Sequence, residues 1–152
     1  MTQHVQTHLH GSCSCGSFSF ETRKVPVGRF VCHCLFCQAF TGEAFSDVSV
    51  LMSHQIDMKG TRALKYRKFR LPPNLNRGSC TTCGKPAMET MGARRLQLVF
   101  IPTASFAEQH LLPPIRRHVF YNRRVTDVVD NLPKYEHYWP SQFAITKTIL
   151  GL

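Results

Sequence analysis

The pattern of apolar and polar residues along the chain predicts short strands joined by turns. Apolar and polar residues alternate over positions 17–20 and again over 63–69, as in strands with one buried face. Two further stretches, 96–101 (LQLVFI) and 118–121 (HVFY), are rich in residues that favour strands. Proline pairs at 72–73 and 113–114 mark loops. Together these features predict an all-β or mainly β fold.

Helical periodicity is scarce. Phe36, Ala39 and Phe40, just after Cys34, have helix-like spacing, and the segment 126–132 is a second candidate for a short helix. With 152 residues and 43% hydrophobic content, the chain has the size of one domain with one core. We therefore expect a single domain over residues 1–152, with residues 1–9 as a loose N-terminal segment.

The compartment bears on how the cysteines are interpreted. No stretch is long and apolar enough to span a membrane, and the opening MTQHVQTHLHG lacks the apolar core of a secretory signal. A cytoplasmic location is therefore expected, and disulfides are rare there. The cysteines number seven, and an odd number does not suit a closed disulfide framework. Metal binding explains them better.

Four of the cysteines have the spacing of a closed zinc site. Cys13 and Cys15 lie two apart, so on an extended segment they point to the same side. Cys80 and Cys83 form a C-x2-C pair, and Gly84 directly after it can adopt the positive φ of a tight turn. Tetrahedral zinc needs sulfurs about 3.8 Å apart, which both pairs can reach. Two such pairs predict one four-cysteine structural site.

The remaining cysteines, Cys32, Cys34 and Cys37, form a compact group of three. Zinc with three protein ligands has a vacant position, where chemistry can take place. One alternative is that a histidine closes the site; the candidates are His4, His8, His10, His33, His54, His110, His118 and His137. His33 is nearest, but on an extended segment it points away from its neighbours Cys32 and Cys34. A metal-free cluster of core cysteines is a second alternative.

The cysteine motifs carry a family resemblance. In this order, HGSCSCGSFSF, CHCLFC and CTTCG, followed by the tail HVFYNRRVTDVVDNLPKYEHYW, resemble the GFA family. This family comprises the glutathione-dependent formaldehyde-activating enzymes and relatives that include centromere protein V. The resemblance runs from about His10 to Tyr138. It implies coiled β-sheets around zinc sites, a fold similar to that of small Rab-associated zinc proteins.

The resemblance also implies a function for each cysteine group. It assigns a structural zinc to Cys13, Cys15, Cys80 and Cys83, and a catalytic zinc to Cys32, Cys34 and Cys37, hence two zinc ions per chain. The implied activity is that of a carbon-sulfur lyase, which joins formaldehyde to glutathione to give S-hydroxymethylglutathione. A thiol bound to zinc is held as the thiolate, so this ligand set suits thiol activation better than hydrolysis.

The charge of the chain leaves a second function class open. The formal net charge is +10 and the pI is about 9.6, which suits an anionic partner. Glutathione carries two carboxylates, and the arginines that can bind them are Arg62, Arg67, Arg94, Arg116 and Arg123. The alternative is a non-enzymatic zinc scaffold whose basic surface binds nucleic acid or another acidic partner. Cysteine redox sensing is less compatible, because it needs a free thiol of low pKa.

Overall fold

The computed structural model describes residues 8–69 and 75–152, which form two β-sheets and two α-helices. The strands are β1 (Leu9–Ser12), β2 (Ser19–Thr22), β3 (Gly28–Cys32), β4 (Ser46–Met52), β5 (Ile56–Lys59), β6 (Leu64–Arg67), β7 (Asn76–Cys80), β8 (Pro86–Met91), β9 (Leu98–Pro102) and β10 (His118–Val119). The helices are α1 (Leu35–Thr41) and α2 (Tyr138–Ile149). The predicted mainly β fold is confirmed.

The larger sheet is buried on both faces. Its strand order is β10-β3-β4-β9-β8-β7-β6, and the smaller sheet has the order β1-β2-β5. The neighbouring strands are antiparallel except for the parallel pair β10 and β3. In β9, Leu98 and Phe100 belong to one apolar core, whereas Val99 and Ile101 belong to the other. The continuous apolar run in LQLVFI reflects this burial on both faces.

The two cysteine groups lie in different cores. One core joins the two sheets; it contains Cys13 and Cys80 together with Phe18 from the segment before β2. The other contains Cys32 and Cys37, with contributions from α2. Because residues of β9 alternate between these cores, the larger sheet separates the four-cysteine group from the three-cysteine group.

Helix α1 confirms the helix predicted after Cys34. Cys34 is its N-cap, and the backbone N–H of Cys37 donates to Cys34 Sγ at 3.3 Å. Gly42 ends the helix with φ of 70°, a left-handed conformation that costs glycine little. The second predicted helix, over 126–132, is wrong. There Asp130 Oδ1 accepts from the backbone N–H of Leu132, and the Tyr121 hydroxyl accepts from that of Val128, so side chains replace the helical hydrogen bonds.

Helix α2 was not expected from the sequence. Its buried residues, Ser141, Ala144 and Thr148, have helical spacing but are small or polar, so they give no apolar stripe. Pro140 also lies within it, yet only in the first turn, where its missing N–H would have no helical partner. The helix contacts β3 and β10, so packing rather than sequence pattern defines it.

The strands expected at 17–20, 63–69, 96–101 and 118–121 overlap β2, β6, β9 and β10. Residues 1–7 and the prolines at 72–73 lie outside the described residues. The loose N-terminal segment was predicted to end at residue 9, but Leu9 is fully buried in β1, so the ordered part of the chain begins earlier than predicted. Neither helix in the described ranges is long and apolar enough to cross a membrane.

Candidate metal centre and active site

Two turns from different sheets bring four cysteines together. Cys13 and Cys15 lie between β1 and β2, Cys80 ends β7, and Cys83 precedes β8. Their four sulfurs lie within 4.8 Å of one another, and Cys15 Sγ is 3.6 Å from the sulfurs of both Cys13 and Cys80. These separations are close to the approximately 3.8 Å of tetrahedral zinc thiolates. The donor set therefore fits a closed zinc site.

A backbone N–H and a side-chain hydroxyl lie close to these sulfurs. The backbone N–H of Phe18 donates to Cys13 Sγ at 3.4 Å, and Cys15 Sγ lies 3.2 Å from the Ser17 hydroxyl. Hydrogen bonding by Ser17 lowers the pKa of the exposed Cys15 thiol to about 6, so it is ready to bind as a thiolate. Cys13 and Cys15 sit on a tight turn, closed by the Gly16 N–H to the Cys13 carbonyl at 3.0 Å, not on the extended segment expected.

The C-x2-C turn has the predicted glycine geometry. Gly84 has φ of 71°, and its N–H donates to the Cys80 carbonyl at 2.8 Å. A turn of this kind directs successive amides toward one point, where they can stabilise thiolates. The positive φ after Cys83 therefore favours glycine.

The three-cysteine group lies where β3 meets α1. Cys32 ends β3, Cys34 caps α1 and Cys37 lies in its first turn, with the three sulfurs within 4.8 Å of one another. Hydrogen bonds from the thiols of Cys32 and Cys37 lower the pKa of the Cys34 thiol to about 3, and the charge of Arg77 lowers it further. The same contacts, with burial, raise the pKa of Cys32 and Cys37. Without a metal, the negative charge of the group is thus held by the Cys34 thiolate alone. Ionisation of all three thiols would require a cation beside them.

No histidine of the described residues belongs to either cysteine group. His33 is buried and points away from the sulfurs, as predicted from the strand: its Nε2 lies 2.9 Å from Nδ1 of His118. His118 Nε2 in turn lies 2.8 Å from Asp130 Oδ2. Burial and the neighbouring His118 lower the pKa of His33 to about 4, so its ring is neutral at physiological pH. The histidine-closed alternative therefore gains no support from His33.

The three-cysteine group opens on a cavity of about 520 Å³. The floor of this cavity is one face of the larger sheet, where Arg77 pairs with Glu89 and Glu89 with Phe100 across neighbouring strands. Cys32, Cys34 and Cys37 all line the same cavity. A molecule in the cavity can therefore contact the cysteine group directly, which a buried structural site would prevent.

An ion pair in the cavity wall was missed by the sequence analysis. Arg77 Nε lies 3.1 Å from Glu89 Oε2, and both side chains are buried. The approach does not have hydrogen-bond geometry, so this Nε is a buried donor without a partner among the described residues. Burial raises the pKa of Glu89 to about 7; the Cys34 thiolate adds to the rise, and Arg77 opposes it. The only sequence signal was an acid within the apolar strand PAMETM.

Two strained residues hold the cavity wall that α2 supplies. Phe120 and His137 both line the cavity and have φ of 52° and 63°, which side chains other than glycine rarely adopt. The N–H of Phe120 donates to Ser141 Oγ and that of His137 to Asn122 Oδ1, each at 2.8 Å. Such strain persists only where the surroundings fix it, and it is common at functional sites. These bonds fasten α2 to the segment after β10.

Of the five arginines proposed to bind glutathione, one lines the cavity. Arg123 lines the cavity, near Asn122 and His137. Arg62, Arg67, Arg94 and Arg116 are not among its lining residues. Arg77, which was not a candidate, lies in the wall instead. Among the described residues, the arginines that line this cavity are therefore Arg123 and Arg77, of which Arg77 already faces Glu89.

Comparison with known proteins agrees with this architecture. Residues 8–123 match the family model described as glutathione-dependent formaldehyde-activating enzyme. A crystal structure of a Rhodobacter sphaeroides protein superposes with a TM-score of 0.52 at 19% sequence identity, covering 65% of this chain and 88% of that one, and supports the fold alone. No curated protein matches the chain. Because the family model spans most of the chain, including all seven cysteines, the chain belongs to the family of glutathione-dependent formaldehyde-activating enzymes.

Proposed function

We propose that the chain is a zinc-dependent carbon-sulfur lyase that joins a thiol such as glutathione to a small aldehyde, as in the formation of S-hydroxymethylglutathione. The observation that supports this most is the opening of Cys32, Cys34 and Cys37 onto a cavity of about 520 Å³. Cys13, Cys15, Cys80 and Cys83 would hold a second, structural zinc. Their position between the two sheets, away from this cavity, suits a role in folding.

The three cysteines suit thiol chemistry rather than water activation. Zinc bound by Cys32, Cys34 and Cys37 would keep an added thiol in its nucleophilic thiolate form. The three thiolates would more than offset the charge of the ion, which would favour a reactive sulfur over a polarised carbonyl. The surrounding cavity holds the aldehyde beside this sulfur and shields both from water.

The reaction needs a proton, and Glu89, which lines the same cavity as the three cysteines, is the proposed donor. Attack by the thiolate sulfur forms a carbon-sulfur bond, and the carbonyl π electrons move to oxygen, which must then be protonated. Glu89 is the one carboxyl group among the described residues that line the cavity. Its pKa of about 7 allows it to be protonated near neutral pH. Arg77 beside it stabilises the carboxylate that remains.

X-ray absorption at the zinc edge tests the proposed thiol binding. In the zinc-loaded protein, four sulfurs at one site and three at the other average about 3.5 per zinc, and added glutathione should raise this to about 4. The change is expected because the thiol takes the vacant position. Oxidised glutathione, which has no free thiol, is the control ligand. A spectrum with a protein nitrogen at the second site, unchanged by glutathione, would contradict the enzyme proposal.

Replacing Glu89 with glutamine tests the proton donor. We expect kcat to fall about 100-fold or more, the usual contribution of a positioned acid. In the wild type, the protonated form is lost as pH rises, so kcat should fall above a pH of about 7. In Glu89→Gln this dependence should disappear. Asp57→Asn, which alters an exposed carboxylate paired with Arg23, is the matched control and should change neither result.

The folded fraction of Glu89→Gln must be measured alongside its kinetics. Arg77 is buried, and loss of its charged partner destabilises such pairs. The cost is reduced because Glu89, with a pKa of about 7, is already partly protonated at neutral pH. A folded variant with wild-type kcat and an unchanged pH profile would remove Glu89 from the mechanism.

The binding-module alternative stays a prediction. Several basic side chains are engaged within the chain: Arg23 binds Asp57, and Arg29 binds Asp47. Pairing of this kind reduces the positive charge available to nucleic acid. No contact among the described residues favours a nucleic-acid interface over the cavity.

A further inference from the structure

The wall of the cavity is more apolar than formaldehyde or glutathione requires. Phe30, Val48 and Phe100 lie on the sheet face beside Cys32, and the rings of Phe30 and Phe100 pack edge to face at 6.2 Å. Leu75, Met91 and Ile145 complete an aliphatic side. Apolar surface of this extent is stabilised by contact with an apolar ligand, not with water.

The dimensions of formaldehyde do not match this cavity. With two heavy atoms it takes about the space of one or two water molecules, each about 30 Å³. The cavity measures about 520 Å³, the size class of sites for much larger molecules. Formaldehyde would leave most of the wall without a contact.

Glutathione does not account for the apolar wall either. Its ends are charged, and burying a charge without a partner is costly. The charged groups deep in the cavity, Arg77 and Glu89, already face each other. The exposed Arg123 and His137 and the half-buried Asn122 offer polar contacts toward solvent. The charged ends of glutathione therefore belong near these residues, and the apolar wall is left for the second reactant.

Part of this wall also lies beyond the region that defines the family. The family model ends at residue 123, whereas Ile145 projects from α2, which spans Tyr138–Ile149. Hydrogen bonds at Phe120 and His137 hold α2 in place against the cavity. Helix α2 is thus a part of the site that can set substrate preference separately from the cysteine chemistry.

We infer that the preferred electrophile is an aldehyde with an apolar body of several carbons, held against Phe30, Phe100 and Ile145. This inference rests on the proposed function and specifies its substrate class. The thiolate sulfur forms one bond to the carbonyl carbon, the π pair of the carbonyl moves to oxygen, and Glu89 supplies the proton. The product is a hemithioacetal, so no oxidant or reductant is needed.

Straight-chain aldehydes from propanal to hexanal test the inference. Their added methylenes are remote from the carbonyl, so intrinsic reactivity changes little along the series. Each buried methylene should raise kcat/KM about fourfold, or about 60-fold over the series. Stopped-flow measurement of hemithioacetal formation with glutathione and zinc-loaded protein gives these values. Formaldehyde is measured in parallel as the reference for the proposed function.

Variants of α2 test whether Ile145 determines the preference for aldehyde chain length. Ile145→Trp narrows the cavity and should flatten the dependence on chain length, whereas Ile145→Ala widens it and should shift the preference to longer aldehydes. Phe143→Trp is the matched control, because Phe143 lies on the same helix but is 69% exposed and does not line the cavity. The control should show the same increase in kcat/KM from propanal to hexanal as the wild type. Using both a larger and a smaller side chain keeps the test informative if one variant does not fold.

The outcomes separate this inference from the proposed function. If formaldehyde is accelerated but kcat/KM is flat from propanal to hexanal, the inference fails and the proposed function stands. The inference would also be overturned if both Ile145 variants fold and show the wild-type dependence of kcat/KM on aldehyde chain length. If no aldehyde is accelerated and glutathione leaves the zinc spectrum unchanged, the proposed function fails and this inference with it.

Discussion

Replacement of Cys80 by serine should abolish the cooperative fold. Cys80 is 1% exposed at the end of β7, and its sulfur lies 3.6 Å from that of Cys15, 65 residues earlier. A zinc shared by these residues, as proposed, would fasten the smaller sheet to the larger one. Structural zinc contributes about 10–16 kcal/mol in zinc-finger peptides. The whole stability of a domain is about 5–15 kcal/mol, so loss of the site can exceed it.

Thermal unfolding followed by circular dichroism, together with zinc content, checks this expectation. Cys80→Ser should show no sharp transition at temperatures where the wild type melts cooperatively. Thr82→Ser is the matched control, because Thr82 is exposed in the same turn and is not one of the clustered cysteines. A well-folded Cys80→Ser protein that retains two zinc ions would rule out the structural assignment.

The cysteine pairs and the triplet could be predicted because the geometry within each motif is local. A C-x2-C turn brings two sulfurs together with little help from the rest of the chain, and Gly84 after it adopts the expected positive φ. The strand at 96–101 was predictable for a related reason, since burial on both faces leaves a continuous apolar run. Both signals can be recognised within a short stretch of sequence, although the meeting of the two cysteine pairs, 65 residues apart, depends on how the two sheets pack.

The cavity wall could not be predicted because it depends on distant elements. Glu89 faces Arg77 only because β7 and β8 pair in one particular register, and a shift of one residue would place the two side chains on opposite faces of the sheet. Helix α2 buries Ser141 and Ala144, so hydropathy gives no sign of its inner face. The cysteines therefore indicated the proposed chemistry, while the groups proposed to supply the proton and to select the substrate became evident only from the packing.

Replacement of Cys34 by serine should separate catalysis from folding. Cys34 is the N-cap of α1, where its sulfur accepts the N–H of Cys37 at 3.3 Å. Serine is a favoured N-cap, so it preserves this function while removing the thiolate. The four-cysteine group lies in the other core and is not touched. We expect cooperative unfolding to be retained, because the cap is kept and the four-cysteine group is intact, with the zinc content falling from two per chain to about one.

Activity should be lost in the same variant, because two cysteines do not hold the second zinc in a form that activates a thiol. The measurements are zinc content by mass spectrometry, chemical unfolding, and the rate of hemithioacetal formation with glutathione. Cys34→Ala is the companion variant: it should lose the same zinc and activity but cost about 1 kcal/mol more stability, since the helix cap is removed as well. If Cys34→Ser keeps both zinc ions and full activity, Cys32, Cys34 and Cys37 do not form the catalytic site. If it fails to fold while Cys34→Ala folds, the role of Cys34 as a cap is wrong.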